Sequence, residues 1–154
     1  MRALSSLLIA ATAVVSAGCT HVQQGAAAGA APEPEYITPN GPPRSPFSPA
    51  VRVGNMIYTS GQIGTDSTGK LAPGGIEAET RQALRNVDAV LRASGSSLDR
   101  AVKCTVFLAD MKEWPAMNAV YATYFSAPYP ARTTIQAGAL PGGISVEIDC
   151  VAST

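Results

Sequence analysis

The sequence predicts an α+β domain in which one β-sheet carries two helices on one face. Two amphipathic segments with apolar residues three and four positions apart predict the helices. Short runs rich in Val, Ile, Thr and Phe, one pair of them around a Gly-Asn turn, predict the strands. The predicted order is strand, strand, helix, strand, helix, strand, strand. The chain has 154 residues, 46% of them hydrophobic, which suits one domain with its own core.

The N-terminus predicts an export signal. Arg2 precedes an apolar run from Leu4 to Ala17, which is too short to span a membrane but suits the core of a secretory signal. The run ends in Val15-Ser16-Ala17-Gly18-Cys19, which resembles a bacterial lipobox, and Thr20 follows the cysteine. We therefore expect a lipoprotein signal peptide over residues 1–18, lipidation of Cys19, and a periplasmic protein anchored in the outer membrane. An ordinary signal peptide with an incidental Cys19 is the alternative.

The composition of residues 19–45 predicts a tether between the signal peptide and the folded domain. These residues are rich in Ala, Gly and Pro, and repeated prolines prevent regular structure. We expect the folded domain to occupy residues 46–154.

The first half of the domain predicts a hairpin and a helix. The Gly54-Asn55 turn and its apolar flanks predict two short strands, Ala50–Val53 and Met56–Ser60. After a loop, Ile76–Ala93 has the apolar period of a helix, and Gly95 ends it. We expect the charged residues of this helix to lie on its solvent face: Glu77, Glu79, Arg81, Arg85, Asp88 and Arg92.

The second half predicts one strand, one helix and two strands. Val102–Leu108 is a strand, and Asp110 with Glu113 gives a helix-start signal. The helix has an apolar stripe of Met117, Val120, Tyr121, Tyr124 and Phe125. Arg132–Leu140 and Ile144–Val151 complete the sheet. Two helices cover only one face of such a sheet, and the other face, to which we assign Val106 and Ile135, carries too few charges to be freely solvated. We therefore expect the chain to form an oligomer.

Composition excludes several kinds of chemistry. The formal net charge is +0 and no Lys/Arg cluster occurs, which disfavours nucleic-acid binding. The single histidine, His21, lies in the predicted tether, so we expect no Ser/His/Asp triad and no histidine-based metal site in the domain. The three cysteines form no CxxC pair, and we expect no structural zinc. Catalysis would depend on Arg, Glu, Asp, hydroxyl and backbone groups.

Arg132 and Glu147 are the candidate functional residues. Arg132 is the only charged residue between Glu113 and Glu147, and an isolated guanidinium is suited to a carboxylate ligand. Two interpretations remain open from the spacing. Either the two side chains form a structural salt bridge across neighbouring strands, or Arg132 binds a substrate carboxylate while Glu147 orients water as an acid/base group.

Four collinear segments resemble one known family. They are Gly54–Gln62, Gln82–Val90, Met117–Tyr121, and Pro130–Ile135 followed by Leu140 and Val146–Ile148. Together they resemble the Rid family of reactive intermediate deaminases, also called RidA/YjgF, from about Pro46 to Ala152.

The resemblance implies a chorismate-mutase-like fold and a homotrimer with clefts between subunits. It implies hydrolysis of enamines and imines, such as 2-aminoacrylate, to 2-oxo acids and ammonia without a cofactor or a metal. By the same resemblance, Arg132 would hold the substrate carboxylate and Glu147 would orient the attacking water. Three further residues would line the cleft: Ser60, Gly61 and Asn118.

Two positions depart from the family pattern. Phe47 stands where family members carry a cleft tyrosine, and Thr134 stands where they carry a cysteine. Loss of one cleft hydroxyl removes a hydrogen bond worth about 0.5 to 1.5 kcal/mol. Tyr58, Tyr124 and Tyr129 are candidates to replace that hydroxyl, although aromatic residues in such segments are more often part of the core.

Export leaves the activity open to alternatives. The archetypal substrates arise in the cytosol, so an exported member could instead bind a small carboxylate without turnover, or could be a structural or chaperone-like trimer. For the deaminase interpretation, the expected partners are a small 2-imino or 2-oxo acid and other copies of the chain, with membrane contact only through the lipid anchor.

Cys104 and Cys150 lie in two predicted strands whose adjacency the sequence does not establish. Cysteine is common as a small buried residue, so we expect two buried free thiols.

Overall fold

The computed structural model describes residues 31–39, 41–42 and 45–154. The predicted signal peptide and Cys19 lie outside these residues. Within the described part, no helix is both long enough and apolar enough to cross a membrane.

One mixed seven-stranded sheet forms the centre of the domain. Its strands are β1 (Glu35–Ile37), β2 (Ala50–Val53), β3 (Met56–Thr59), β4 (Gln62–Ile63), β5 (Ala101–Leu108), β6 (Ala131–Gln136) and β7 (Val146–Ser153). The spatial order is β1-β2-β3-β7-β5-β6, and the short β4 also pairs with β7. Among the described strands only β5 and β6 are parallel, and the described residues form two α-helices, α1 (Gly75–Ala93) and α2 (Trp114–Tyr121). The predicted α+β fold is confirmed.

Two strands were not anticipated. β1 pairs with β2, so the expectation that prolines exclude regular structure from the predicted tether is wrong for Glu35–Ile37. Prolines flank this strand rather than interrupt it, and Glu35 forms an ion pair with Arg52 at 3.4 Å. β4 has only two residues, too few to give a periodic signal.

The hydrophobic core lies between the sheet and the helices. β7 alternates buried and half-buried residues along its whole length, because successive side chains of a strand point to opposite faces. The fully buried strand residues Cys104, Val106, Leu108, Val146, Ile148 and Cys150 face the helices. Our assignment of Val106 to the open face is therefore wrong. Its partner in the ladder is Ile148, and the two side chains share the core face.

The opposite face of the sheet carries exposed apolar side chains. Tyr58 is 48% exposed and Ile135 is 43% exposed, and both belong to the set of residues that alternates with the core set. In the described chain, the buried side chains of both α-helices belong to the core on the other face. Exposed apolar area of this kind is typical of a surface that binds another subunit.

Cys104 and Cys150 form a disulfide between β5 and β7. The prediction of two free thiols is therefore wrong. The two residues are direct partners in the antiparallel ladder, and the backbone N–H and C=O of Cys150 both bond to the Thr59 hydroxyl on the other side, at 2.9 and 3.2 Å. The pair is thus a non-hydrogen-bonded one, in which facing side chains approach most closely. The sequence did not reveal that β5 and β7 are neighbours.

Candidate functional site

Arg132 lies on the helix face of β6, close to two aromatic rings of α2. Its guanidinium carbon is 4.6 Å from the Tyr121 ring centroid and 5.8 Å from that of Trp114. The parallel register sets Arg132 level with the buried Cys104, which directs the side chain toward α2. Stacking on aromatic rings orients a guanidinium without occupying its N–H donors.

No carboxylate in the described part of the chain pairs with Arg132. The ion pairs there are Arg52–Glu35 and Arg92–Asp88. Arg132 opens into a cleft of about 280 Å³ that Asn118, Tyr121, Phe125 and Tyr129 also line. The cleft thus combines an unpaired guanidinium with an amide side chain and apolar walls, which is the chemistry of a site for a small carboxylate.

Tyr121 supports Arg132 from within the core. Its ring lies 4.6 Å from the Phe125 ring, and only 6% of the residue is exposed. Burial raises the pKa of Tyr121 to about 12, against an opposing effect of the Arg132 charge. The hydroxyl is therefore protonated at neutral pH, and it has no hydrogen-bond partner within the described residues.

Glu147 lies on the opposite face of the sheet, against Gly61. A Cβ on Gly61 would lie only 2.6 Å from the Glu147 carboxyl carbon, so glycine is required for the carboxylate to occupy this position. Gly61, Phe47 and Glu147 line a second cleft of about 560 Å³, together with Gln62 and Asn86. A carboxylate beside an apolar ring and a bare backbone can bind a water molecule and accept its proton.

Ser60 supports this second cleft from behind. Its hydroxyl donates to the Ser48 carbonyl at 2.6 Å, and its backbone N–H donates to Pro49 at 2.9 Å. These bonds fix the segment that carries Phe47, which is 57% exposed. The predicted residue Ser60 therefore lies next to the cleft, but its hydroxyl is already engaged.

The salt-bridge interpretation of Arg132 and Glu147 is wrong. β5 lies between β6 and β7, Arg132 is level with Cys104, and Glu147 is level with Phe107. Cys104 faces the core and Phe107 the opposite face, since they are three residues apart in one strand. Within one protomer the two side chains leave the sheet in opposite directions, so they belong to two different clefts.

The remaining predicted residues divide between the two clefts. Asn118 lies with Arg132, whereas Phe47 and Gly61 lie with Glu147. Thr134 shares the helix face with Arg132, but it lines neither cleft, and its hydroxyl is buried without a partner.

The candidate tyrosines have three different environments. Tyr129 is 69% exposed at the rim of the Arg132 cleft, and Tyr58 is exposed on the open face of the sheet. The core interpretation is wrong for these two. Tyr124 packs against the core and donates its hydroxyl to the Arg81 carbonyl at 3.2 Å. Tyr129 is thus the one candidate with a hydroxyl at the rim of the Arg132 cleft.

Helix α1 supplies two polar anchors that the sequence analysis missed. Asn86 donates to the carbonyls of Ile63 and Thr65 at 2.9 and 2.8 Å. Glu79 accepts hydrogen bonds from Ser145 and is only 3% exposed, so its assignment to the solvent face is wrong. The available signal was its position three residues after Ile76 and four before Ala83, which places it on the apolar side of the helix.

Comparison with known proteins identifies the family. A family model described as Endoribonuclease L-PSP matches residues 38–154, which is most of the chain. The chain belongs to this family. It is the Rid, or RidA/YjgF, family that the four sequence segments indicated, and that prediction is confirmed.

Curated relatives of this Rid-family chain carry the name of one activity. A mouse protein named 2-iminobutanoate/2-iminopropanoate deaminase is 47% identical over 108 residues, covering 70% of this chain and 80% of its own length. The human protein of the same name is 45% identical over 108 residues, with 70% and 79% coverage.

Solved structures of the family agree with the fold. The Escherichia coli YjgF gene product superposes with a TM-score of 0.70 at 34% identity, covering 77% of this chain and 98% of that one. E. coli TdcF with bound serine gives a TM-score of 0.70 at 31% identity, with 78% and 98% coverage.

Proposed function

We propose that this protein hydrolyses reactive 2-imino acids, and the enamines in equilibrium with them, to 2-oxo acids and ammonium. The observation that carries the proposal is the unpaired, aromatically stacked guanidinium of Arg132 in a chain whose relatives are named imine deaminases. The bound serine of TdcF is a small carboxylate of the same class.

The reaction needs little from the protein beyond positioning. Water adds to the electrophilic C=N carbon, the resulting carbinolamine expels ammonia, and a 2-oxo acid remains. Arg132 would bind the carboxylate through two parallel N–H donors. Glu147 would accept a proton from the attacking water and return it to the departing nitrogen. Effects of proximity and acid/base assistance are each worth several powers of ten, so these groups suffice for the chemistry without a cofactor or a metal.

A complete site requires more than one protomer. The Arg132 and Glu147 side chains leave opposite faces of the sheet and line separate clefts, whereas one substrate would have to contact both. We infer a homotrimer in which the Arg132 cleft of one protomer meets the Glu147 cleft of the next. The exposed apolar side chains of the open sheet face, including Tyr58 and Ile135, would be buried at these contacts.

We also propose that the protein is exported, lipidated at Cys19 and held at the outer membrane by residues 19–45. The signal-like N-terminus motivates this assignment, and the Cys104–Cys150 disulfide supports it, because disulfides persist in oxidising compartments such as the periplasm. Mass spectrometry of the protein from its native membrane would detect a diacylated or triacylated N-terminal Cys19. An unmodified Met1 on the isolated protein would contradict the assignment.

The alternatives are binding without turnover and a structural or chaperone-like trimer. An imine generated in situ by an L-amino-acid oxidase, and trapped with semicarbazide, separates them. We expect the purified protein to lower the rate of semicarbazone formation in proportion to its concentration. Binding of a 2-oxo acid with no effect on trapping would identify a binding protein. Neither binding nor an effect would indicate the structural role.

Two variants test the shared site. Arg132→Ala should lose 2-oxo acid binding and turnover, and Glu147→Gln should keep binding and lose turnover. Unfolding and refolding the two inactive variants together should restore about a quarter of wild-type activity, because random assembly gives that share of clefts with both intact residues. Failure of the mixture to recover any activity, while each variant is folded and trimeric, would contradict a site shared between protomers.

The family description names an endoribonuclease. A formal net charge of +0 without a Lys/Arg cluster disfavours RNA binding, so we do not propose ribonuclease activity.

A further inference from the structure

Glu79 is a buried charge that neither cleft contains. It lies on the core side of α1 and is 3% exposed. Its two carboxylate oxygens accept from a single residue: the Ser145 backbone N–H donates at 2.7 Å and the Ser145 hydroxyl at 2.9 Å. A carboxylate is costly to bury unless it is fully hydrogen-bonded, so this two-bond contact fixes the relative position of the two residues.

Ser145 lies directly before β7, two residues ahead of Glu147. Its carbonyl accepts from the Ala109 backbone N–H at 3.0 Å. Every polar group of Ser145 is therefore engaged, the donors by α1 and the carbonyl by the residue that follows β5. Glu79 thus sets where the chain enters the strand that carries Glu147.

The backbone of α1 at Glu79 also packs against the segment that follows β4, the short strand that pairs with β7. Gly64 follows β4, and a Cβ on Gly64 would lie 2.6 Å from the Cα of Glu79, so the backbone there packs directly on α1. β4 pairs with β7, and Gly61, just before β4, contacts the Glu147 carboxylate. One helical residue therefore contacts both segments between which Glu147 is held.

We propose that Glu79 is a positioning residue for Glu147, acting through its hydrogen bonds to Ser145. It holds the start of β7 so that the Glu147 carboxylate stays against Gly61, where it can orient water. This inference rests on the proposed function. The hydrogen bonds of the Glu79 side chain go to Ser145, which does not line the Arg132 cleft. Disturbing Glu79 should therefore impair the chemical step while carboxylate binding is maintained.

A pair of variants separates the effect of the length of the Glu79 side chain from the effect of its charge. Glu79→Gln keeps the length of the side chain, and its amide can still accept from the Ser145 N–H and donate to the Ser145 hydroxyl. Glu79→Asp keeps the charge but is one methylene too short for both bonds. Val87→Ala is the matched control, since Val87 is fully buried on the same helix and lines neither cleft.

We expect Glu79→Asp to lower kcat about tenfold or more, with KM within about twofold of wild type, since small displacements of a catalytic group cost this much. Glu79→Gln should restore kcat to within about threefold of wild type. Val87→Ala should lower Tm but leave kcat and KM unchanged at 25 °C, well below its unfolding transition. If Glu79→Asp does not fold, a Ser145→Ala variant, which loses only the hydroxyl bond, should still lower kcat severalfold at constant KM.

Three results would overturn the inference. The first is a wild-type kcat in Glu79→Asp, and the second is an equal loss of kcat in both Glu79 variants. The third is a loss of activity in Glu79→Asp that is fully explained by a lower fraction of folded protein, as expected for Val87→Ala. The assignment of Glu147 is tested separately. If Glu147→Gln is fully active, the proposed mechanism fails whatever the Glu79 variants show, and if it is inactive while Glu79→Asp is normal, only the present inference fails.

Discussion

Reduction of the Cys104–Cys150 disulfide should destabilise the domain strongly. The bond joins the central strands β5 and β7 across 46 residues of chain, and both cysteines are fully buried. The closed loop includes α2 and β6, which supply the Arg132 cleft. The disulfide therefore limits the unfolded conformations of almost half of the folded domain.

The expected magnitude follows from the length of that loop. The loop-closure entropy for a separation of 46 residues corresponds to about 4 kcal/mol at 25 °C. For a domain of this size, such a loss lowers Tm by roughly 15 °C. The reduced protein retains both sulfur atoms in the core, so no cavity contributes to the difference. The Cys104→Ala/Cys150→Ala variant should lose more, because it adds two small cavities.

Thermal unfolding of the oxidised and reduced wild-type protein measures the effect directly. Alkylation of the denatured protein without reductant, followed by mass spectrometry, must first show Cys104 and Cys150 unmodified. A Tm that falls by less than about 3 °C on complete reduction would refute the loop-entropy reasoning. Two alkylated cysteines before reduction would show that the bond does not form.

Three further predictions concern single side chains. Arg132→Lys should lower kcat/KM at least roughly tenfold, because an ammonium group cannot bind a carboxylate bidentately and has no planar face to lie against the Trp114 and Tyr121 rings. A kcat/KM close to wild type would show that charge alone suffices. Gly61→Ala should abolish turnover with little change in Tm, since the added Cβ displaces the end of the Glu147 side chain rather than the backbone. Full activity of this variant in steady-state assays would contradict the prediction. Burial raises the pKa of Asp149 above its usual 3.8, so the folded state binds a proton at this carboxyl more tightly than the unfolded state does. Protonation of Asp149 therefore stabilises the folded state at low pH, and this stabilisation is lost as the pH rises through the raised pKa. Asp149→Asn should therefore raise Tm at neutral pH but not below the ordinary aspartate pKa, and equal Tm shifts at both pH values would contradict this.

Much of the fold could be predicted because the patterns that indicate helices and turns lie within short stretches of sequence. The apolar period of α1 gave a helix from Ile76 to Ala93, and the observed helix is Gly75–Ala93. The Gly54-Asn55 turn gave the hairpin, with Gly54 at a φ of +58°. The last strand was predicted from Ile144, whereas β7 begins at Val146, because the Ser145 backbone N–H donates to the Glu79 carboxylate instead of to a neighbouring strand.

The site could be predicted only in part, since its arrangement depends on strand order. Spacing and family resemblance identified Arg132 and Glu147, but nothing local indicates that β5 lies between their strands or that β7 pairs with both β3 and β5. The same missing adjacency explains the wrong prediction for the cysteines. Glu79 was assigned to the solvent face of α1 for a different reason. A charged side chain is expected to be solvated, and the hydrogen-bond donor that allows its burial, Ser145, is distant in the sequence.

The opposed orientation of Arg132 and Glu147 has an evolutionary consequence. In the proposed trimer, the contact surface and the reaction site are the same surface, so a substitution that weakens assembly also lowers turnover, and a monomeric descendant could not retain the activity. Selection for catalysis would then preserve the quaternary structure as well. A single altered gene also changes all three sites of the assembly at once, which makes the interface less free to drift than the helical exterior of the same molecule.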